Sequence, residues 1–261
     1  MSLMDFYDAL ADDYDVVYGG RWQEAVVRQG EVLDALIAAS LGPGAKEVLD
    51  CSCGIGTQAL GLAMRGHRVH GTDISERAVA RAWREASSFG LHATFAVADF
   101  RNLGVVPGTF DVVISCDNSI PHLLTDGEVR QALASMHTKL RTEGLLLVSI
   151  RDYTRAVVER PATAPSTFMA GPPRRLLVRF HDWDEGSPTY HLHFFLLSEQ
   201  NNDWTLTGHY QTRYRALSRH ELAAAAHDVG FEAIEWHEAD ATGFYQPLLT
   251  GRAGPSETRT G

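Results

Sequence analysis

The 261-residue sequence has no apolar run long enough to cross a membrane, and its start, Met1-Ser2-Leu3-Met4-Asp5, carries neither a basic stretch nor an apolar one. A spanning helix needs about 20 consecutive apolar residues and a secretory leader needs both of those features, so the chain is read as soluble and cytoplasmic, with no membrane partner. Cysteine is scarce: Cys51, Cys53 and Cys116 are too few for a disulfide framework. The C-x-C spacing has no second pair to complete a tetrahedral zinc set, so no metal is expected. Basic residues are in deficit, 23 Lys+Arg against 33 Asp+Glu for a net charge of −10, which argues against a nucleic-acid partner. What is present is an ordinary globular composition, 44% hydrophobic and 21% charged, long enough for one large domain carrying a sub-domain.

From residue 46 to 150 short apolar runs alternate with helical patterns, the signature of βαβ units around a parallel sheet. Val48-Leu49 leads into Asp50, a helix follows over about 57–65, and 69–73 reads as a second strand. Ser75 caps a helix to about Ser88, 93–97 and 111–115 supply two more strands, and Thr125-Asp126-Gly127-Glu128 has capping-box spacing before a helix to Leu140 and a strand over 145–150. Pro161, Pro165, Pro172 and Pro173 mark a loop, after which 174–183, 189–198 and 203–215 read as antiparallel strands separated by turn compositions. A second capping box at Ser218-Arg219-His220-Glu221 opens a helix, and 231–236 with 244–250 form a closing antiparallel pair. The expected organisation is an N-terminal helical lid (1–45), a Rossmann-like core (46–160), an antiparallel β insertion on the acceptor side (161–217), closing elements of the core (218–251) and a mobile tail without core residues (252–261). The fold class is α/β, a doubly wound, seven-stranded, mostly parallel sheet with that insertion near its C-terminal end.

Glu47-Val48-Leu49-Asp50-Cys51-Ser52-Cys53-Gly54-Ile55-Gly56 places an acid at the end of the first strand and a glycine pair in the turn before a helix. The missing Cβ atoms let the backbone approach a ligand there. Twenty-three residues beyond Asp50, Asp73 closes the second strand, where a carboxylate accepts hydrogen bonds from ribose hydroxyls. Together these indicate a nucleoside cofactor. A dinucleotide fingerprint would want a third Gly or Ala and no carboxylate facing pyrophosphate, whereas Asp50 suits an ammonium. S-adenosylmethionine offers that ammonium and carries no phosphate.

These residues resemble the class I S-adenosylmethionine-dependent methyltransferases, whose first-strand motif is E/D-x-G-x-G-x-G with an acid ending the second strand. Ser52 stands at the first glycine, which resembles the glycine/sarcosine N-methyltransferase branch and its V-L-D-x-A-C-G-T-G run. Ala98-Asp99-Phe100 resembles the branch's A-N-W, and Asp117-Asn118-Ser119-Ile120-Pro121-His122-Leu123 its G-N-S-F-A-H-L. Gly144 to Tyr153 looks like G-G-L-L-V-I-D-H-R-N-Y with one residue less. By that resemblance Arg28 holds the cofactor carboxylate, Ser52 and Gly54 lie under the methionine chain, Asp73 binds the ribose, Asp99 reaches the adenine amino group and Phe100 covers the ring. Asp50, Gly56, Ile74 and Cys116 complete the expected cofactor contacts. Arg28 is alternatively a solvated charge, Phe100 plain core, and Asp73 a helix cap.

Methyl transfer from a sulfonium requires alignment and exclusion of water more than a covalent nucleophile. An amine acceptor must be neutral before attack, and His122 and Asp117, following the fourth strand, are candidates to take or relay its proton, with Asn118 beside them. The resemblance puts Asn118 and Ser119 against the acceptor, and Arg151 of the R-N-Y run on an acceptor carboxylate with Tyr153 nearby. Asp117 departs from the family's Gly, which favours a larger or cationic acceptor over glycine. Tyr14 and Tyr18 precede the first long helix, where the family lids its site, and Tyr214 belongs to a His- and Tyr-rich insertion able to line an acceptor pocket. His191 and His193 share a strand face, but spacing fixes no third metal ligand. Three readings stay open: N-methylation of an amino acid or small amine with S-adenosylhomocysteine as product, O- or C-methylation of a secondary metabolite, and non-catalytic cofactor binding. A DNA-type Asn/Asp-Pro-Pro-aromatic motif is lacking. Phe and Trp in the insertion fit a homodimer or equally a lid.

Overall fold

The computed structural model describes residues 2–254. Helix α1 (Leu3–Leu10) starts at a capping box in which Ser2 and Asp5 satisfy each other's backbone amides. A 3₁₀ turn (Tyr14–Tyr18) leads to α2 (Trp22–Leu41). The βα alternation then runs β1 (Glu47–Asp50), α3 (Thr57–Met64), β2 (Arg68–Asp73), α4 (Glu76–Ser88), β3 (Ala93–Val97), β4 (Phe110–Ser115), α5 (Asp126–His137) and β5 (Leu140–Ser149). Short α6 (Ala156–Glu159) precedes β6 (Thr163–Met169), β7 (Arg175–Trp183), β8 (Thr189–Gln200) and β9 (Asp203–Arg215). The chain closes with α7 (Arg219–Asp228), β10 (Phe231–His237), α8 (Ala239–Thr242) and β11 (Leu248–Ala253).

The main sheet has seven strands in the order β10-β11-β5-β4-β1-β2-β3, β11 alone running against the rest. Strand order reverses between β1 and β4, so the crevice outside their carboxyl ends is where an open α/β sheet takes a ligand. Both strands are buried on both faces, as their unbroken apolar runs require: Val48, Leu49, Val112, Val113 and Ile114 have no exposure. Helix α2 crosses α3 glycine on glycine. A Cβ built on Gly30 would stand 2.4 Å from the Gly61 carbonyl carbon, and one on Gly61 2.4 Å from the Val26 carbonyl oxygen. Backbone cannot yield there as a side chain can, so Gly61→Ala is expected to destabilise by about 1–3 kcal/mol, read as a lower urea midpoint at unchanged m-value; an unmoved midpoint would show the helices free to separate.

The second sheet, antiparallel β6-β7-β8-β9, packs one face on the body. Leu177, Tyr190, Leu192, Phe194, Leu196 and Tyr210 join Phe6, Leu10 and Val16 of the N-terminal segment and Tyr153 in a separate core cluster. Phe6, Leu10 and Val16 thus lie with this sheet, Ala11 joins the main core, and α2 covers α3. Three readings are corrected. The Pro-marked loop contains strand β6, because Pro165 sits on an edge strand, where a missing N–H is tolerated. The last strand is 248–253, not 244–250. Arg252 and Ala253 therefore belong to it, Ala253 buried, rather than to a coreless tail; the remainder of that tail, 255–261, lies outside the described residues. Among the described residues no helix is long and apolar enough to cross a membrane.

Candidate active site

A cleft enclosing about 920 Å³ of space open to solvent lies at the switch point. Its floor is the β1–α3 turn: Cys51, Ser52, Cys53, Gly54 and Ile55 line it. Gly54 takes φ +51°, and a Cβ there would meet nothing, so its missing side chain leaves open space over the turn. Asp73 ties the turn to β2. Its Oδ2 accepts from the Gly54 amide at 2.8 Å and its Oδ1 from the Ser75 amide at 2.9 Å, and the residue lines the cleft. Burial raises its pKa against those amides. Ile74, Asp99 and Phe100 line the same wall. Arg101 clamps Asp99 through Nε at 3.1 and 3.0 Å and Nη2 at 2.6 Å; burial would raise the carboxyl, and this arginine holds it below the usual range.

After the end of β4, Asp117 and Asn118 both adopt left-handed backbone, φ +65° and +68°. Two consecutive non-glycine residues in that region are costly and persist only where surroundings dictate them. Here β5 dictates them: the Asp117 amide donates to Ser149 Oγ at 2.8 Å and the Asn118 amide to the Ser149 carbonyl at 3.2 Å. The result turns the Asp117 carboxylate into the cleft, where it accepts from the Tyr18 hydroxyl at 2.8 Å. Burial raises the Asp117 pKa, opposed by Tyr18 and the charge of Arg151. His122 is buried with Nδ1 3.2 Å from the Arg213 carbonyl and Nε2 2.6 Å from the Tyr7 hydroxyl. A carbonyl only accepts, so a neutral ring carries its proton on Nδ1 and receives Tyr7 on Nε2. Burial depresses its pKa to about 3, and its ring lies 4.0 Å from that of Tyr214.

The cleft brings together Tyr14, Ser52, Gly54, Asp73, Ile74, Asp99, Phe100, Asp117, Ser119 and His122. Other expected residues lie elsewhere. Arg28 is on the exposed face of α2 and donates to the Gly243 carbonyl at 3.0 Å. Asp50 is wholly buried beneath the turn, its Oδ1 accepting from the Ser52 amide at 3.3 Å and its Oδ2 without a partner. Gly56 is conformational: φ is +98° and a Cβ would press on Leu60. Cys116 is buried behind the wall, its carbonyl accepting from Ser119 Oγ at 2.9 Å. Asn118 is buried and committed internally, donating to the Tyr153 hydroxyl at 2.9 Å and accepting from the Arg151 amide at 2.9 Å. Tyr18, Tyr153, Tyr214 and Arg151 are not among the residues lining the cleft, although Tyr18 donates to Asp117 there, and Arg151 is stacked 5.8 Å over the Tyr214 ring. Sequence reasoning missed Tyr7, Leu3, Thr57, Gln58 and Arg101, all lining the cleft. The Ser2–Asp5 capping box opens the helix that carries Tyr7, within the segment read as a helical lid, but nothing local to it points Tyr7 at His122.

A family profile described as a methyltransferase domain matches residues 48–144. The glycine/sarcosine N-methyltransferase of Parasynechococcus marenigrum (strain WH8102) is 35% identical over 113 residues, 43% of this chain and 40% of that protein. The glycine/sarcosine N-methyltransferase of Halorhodospira halochloris is 26% identical over 241 residues, 88% of this chain and 80% of that protein. The chain spans less than half the length of the first relatives it matches, 40% of one and 46% and 44% of two others. A solved amino pentose methyltransferase from Micromonospora echinaspora, bound to S-adenosylmethionine, superposes with a TM-score of 0.76 at 19% identity, covering 92% of this chain and 96% of that one. Residues 48–144, which carry the βα core, the glycine turn and the strand-two carboxylate, are thus similar to a methyltransferase domain, and the whole chain shares the fold of a solved S-adenosylmethionine-bound methyltransferase.

Proposed function

We propose that this chain transfers a methyl group from S-adenosylmethionine to the nitrogen of a small amine, an amino acid or a comparable small molecule, releasing S-adenosylhomocysteine. The observation that carries the reading is the Asp117 carboxylate, fixed by left-handed backbone at the end of β4 beside the nucleoside cradle. The residues fit the cofactor. Gly54 leaves space over the turn, Asp73 keeps acceptor capacity for two hydroxyls, and the unpartnered Asp50 Oδ2 marks a buried acceptor under the part of the cleft where a cation would lie. Asp99 and Phe100 stand where an amino group and a ring face would be met. When bound, S-adenosylmethionine supplies a methyl group whose carbon–sulfur bond breaks as the acceptor's lone pair forms the new bond.

The chain's own part is to align and to move a proton. Asp117, with its raised pKa, accepts the proton an ammonium must lose. His122, depressed to about 3, is too weak a base for that task and instead holds the Tyr7 hydroxyl over the cleft. Helix α1 excludes water: Asp8 Oδ1 accepts from Ser75 Oγ at 2.6 Å, tying this cover to the residue whose amide binds Asp73. Relatives whose names give glycine, sarcosine or an amino-sugar nucleotide as acceptor support nitrogen as the target. Phe168, Trp204 and Leu206, exposed on the second sheet, support a homodimer, which equilibrium sedimentation tests.

Titration calorimetry with S-adenosylmethionine, S-adenosylhomocysteine and NAD is the first test. Binding of the first two without NAD, followed by label uptake from methyl-labelled cofactor into glycine, sarcosine or larger amines, is the expected result; binding of NAD alone overturns the reading. Asp73→Ala is expected to weaken S-adenosylhomocysteine by about 1–3 kcal/mol through lost charge-assisted bonds, and an unchanged calorimetric affinity would remove Asp73 from the ribose.

A further inference from the structure

Among the described residues lining the cleft, Arg101 is the only arginine or lysine, and methyl transfer at Asp117 makes no use of it. Beside it are Asp99 and Phe100, at the start of a 3₁₀ turn over Phe100–Val105 that Asp99 caps. Asp99 Oδ1 accepts from the Arg101 amide at 2.8 Å and from Nε at 3.1 Å, and Oδ2 accepts from Nε at 3.0 Å and from Nη2 at 2.6 Å. The Nε hydrogen is shared, so three hydrogens meet a carboxylate with about four lone-pair sites. About one acceptor place is left.

The clamp is itself anchored. Arg101 Nη1 donates to Glu128 Oε1 at 3.1 Å, and Glu128 Oε2 accepts from the Leu124 and Thr125 amides at 3.2 Å each, in the capping box that opens α5. The guanidinium is thus held from two sides. The Arg101 and Asp99 side chains are 36% and 31% exposed, and an ion pair that open to water contributes little to folding. What a bidentate fork fixes is the plane and the charge of the carboxylate it grips, here one that lines the cleft. Burial would raise the Asp99 carboxyl, and Arg101 outweighs it. Among the described residues no other charged side chain pairs with Asp99, and Glu128 of α5 meets it only through Arg101.

We propose that Arg101 is a positioning residue for the purine of the cofactor: it holds Asp99 as an ionised, acceptor-only carboxylate with one place free, which admits the 6-amino group of adenine and refuses the 6-oxo group of hypoxanthine. The inference rests on the methyltransferase reading, with the adenine edge at Asp99. An amino hydrogen satisfies the vacant lone pair, whereas a carbonyl oxygen sets acceptor against acceptor in a partly desolvated site. The clamp also bars the carboxylate from turning to the N1–H that hypoxanthine presents one ring position away. Selectivity then depends on a proton. A carboxylic acid carries an O–H donor that a 6-oxo group accepts, so Asp99 discriminates only while ionised, and Arg101 keeps it ionised as pH falls.

The test is calorimetry on the full chain with S-adenosylhomocysteine and S-inosylhomocysteine, which differ only at the purine 6-position and N1, between pH 8 and pH 5. The ratio of the two affinities cancels Asp50 and Asp73, which titrate alike under either probe. The wild type is expected to prefer the adenosyl ligand by about tenfold or more, at a ratio flat across that range. In Arg101→Met the preference should shrink to about threefold or less at pH 8 and vanish toward pH 5. Arg101→Lys keeps the charge without the fork and should hold the ratio flat at a lower value. Asp99→Ala should abolish the preference at every pH. A flat, wild-type ratio in Arg101→Met overturns the proposal and leaves Arg101 a surface ion pair. A preference that survives Asp99→Ala puts the purine edge elsewhere and overturns it too, as does equal binding of both probes by the wild type. Failure of the wild type to bind either probe would instead remove the methyltransferase reading beneath it.

Discussion

Asp117→Asn is expected to lower turnover of an amine acceptor by about two to four orders of magnitude, the usual reach of general-base catalysis, with S-adenosylhomocysteine affinity unchanged. The substitution keeps shape and conformation. Asparagine tolerates the left-handed region at least as well as aspartate, so the φ of +65° and the amide bond to Ser149 Oγ remain. Only the charge and the proton-accepting oxygen are lost. In the wild type the productive form is the carboxylate, so the rate falls as pH falls through the folded-state pKa, which burial has raised above the ordinary 3.8. The variant should lose that acid limb and keep only the limb set by the acceptor's own ionisation. Tyr18→Phe offers a graded companion. It removes the hydroxyl that donates to Asp117 at 2.8 Å and stabilises the anion, so the acid limb should move to higher pH. Full kcat in Asp117→Asn at every pH would assign proton removal to solvent and reduce Asp117 to a binding group.

That Ser52, Gly54, Asp73, Asp99 and Phe100 would share one cleft wall was legible because the pattern that joins them is local in sequence. A strand end, a glycine turn and an acid closing the next strand specify their geometry within a few residues. Arg28 failed because a count of residues before a strand says nothing of helix face. The apolar stripe of α2 did carry that information: Val26, Gly30, Leu33 and Ile37 are buried, and a residue two beyond Val26 points about 200° away from it. Asn118 failed differently. Its match to a family motif was sound as a turn, but the side chain closes a network with Tyr153 and the Arg151 amide, partners more than 30 residues away that no local pattern announces. Tyr7 was hidden for the same reason, its contact being with His122. The insertion strands were readable from turn spacing, whereas β6 was masked by its prolines, which only the knowledge that it is an edge reconciles with a strand.

Asp50→Asn is expected to stabilise the ligand-free protein and weaken the cofactor at once. Asp50 has no exposure, one oxygen accepting a single long bond from the Ser52 amide and the other unpartnered. Burial pushes its pKa up to about 8, with Asp73 and Asp117 adding to the rise and backbone amides opposing it. The sign follows from which state holds the proton. Between about pH 4 and 8 the folded chain keeps a proton that the unfolded chain releases, so this carboxyl makes stability fall as pH rises through that window, by up to about 1.4 kcal/mol per unit. Asparagine mimics the protonated form and does not titrate. The stability difference between variant and wild type should therefore be small at pH 4, widen toward pH 8 and then level off, as urea unfolding at fixed ionic strength would read. His122, held at about 3, acts in the opposite sense, favouring the folded state as pH rises from its folded value to the ordinary 6.5, but it is common to both proteins and cancels. A cationic ligand above the turn reverses the preference of the buried carboxyl by favouring its ionised form. Cofactor binding below pH 8 should then release a proton in the wild type, measured as a dependence of calorimetric heat on the ionisation enthalpy of the buffer, and release less in Asp50→Asn with lower affinity. Parallel stability curves for the two proteins would mean that Asp50 ionises freely where it stands, and equal proton release would place the cofactor's cation out of its reach.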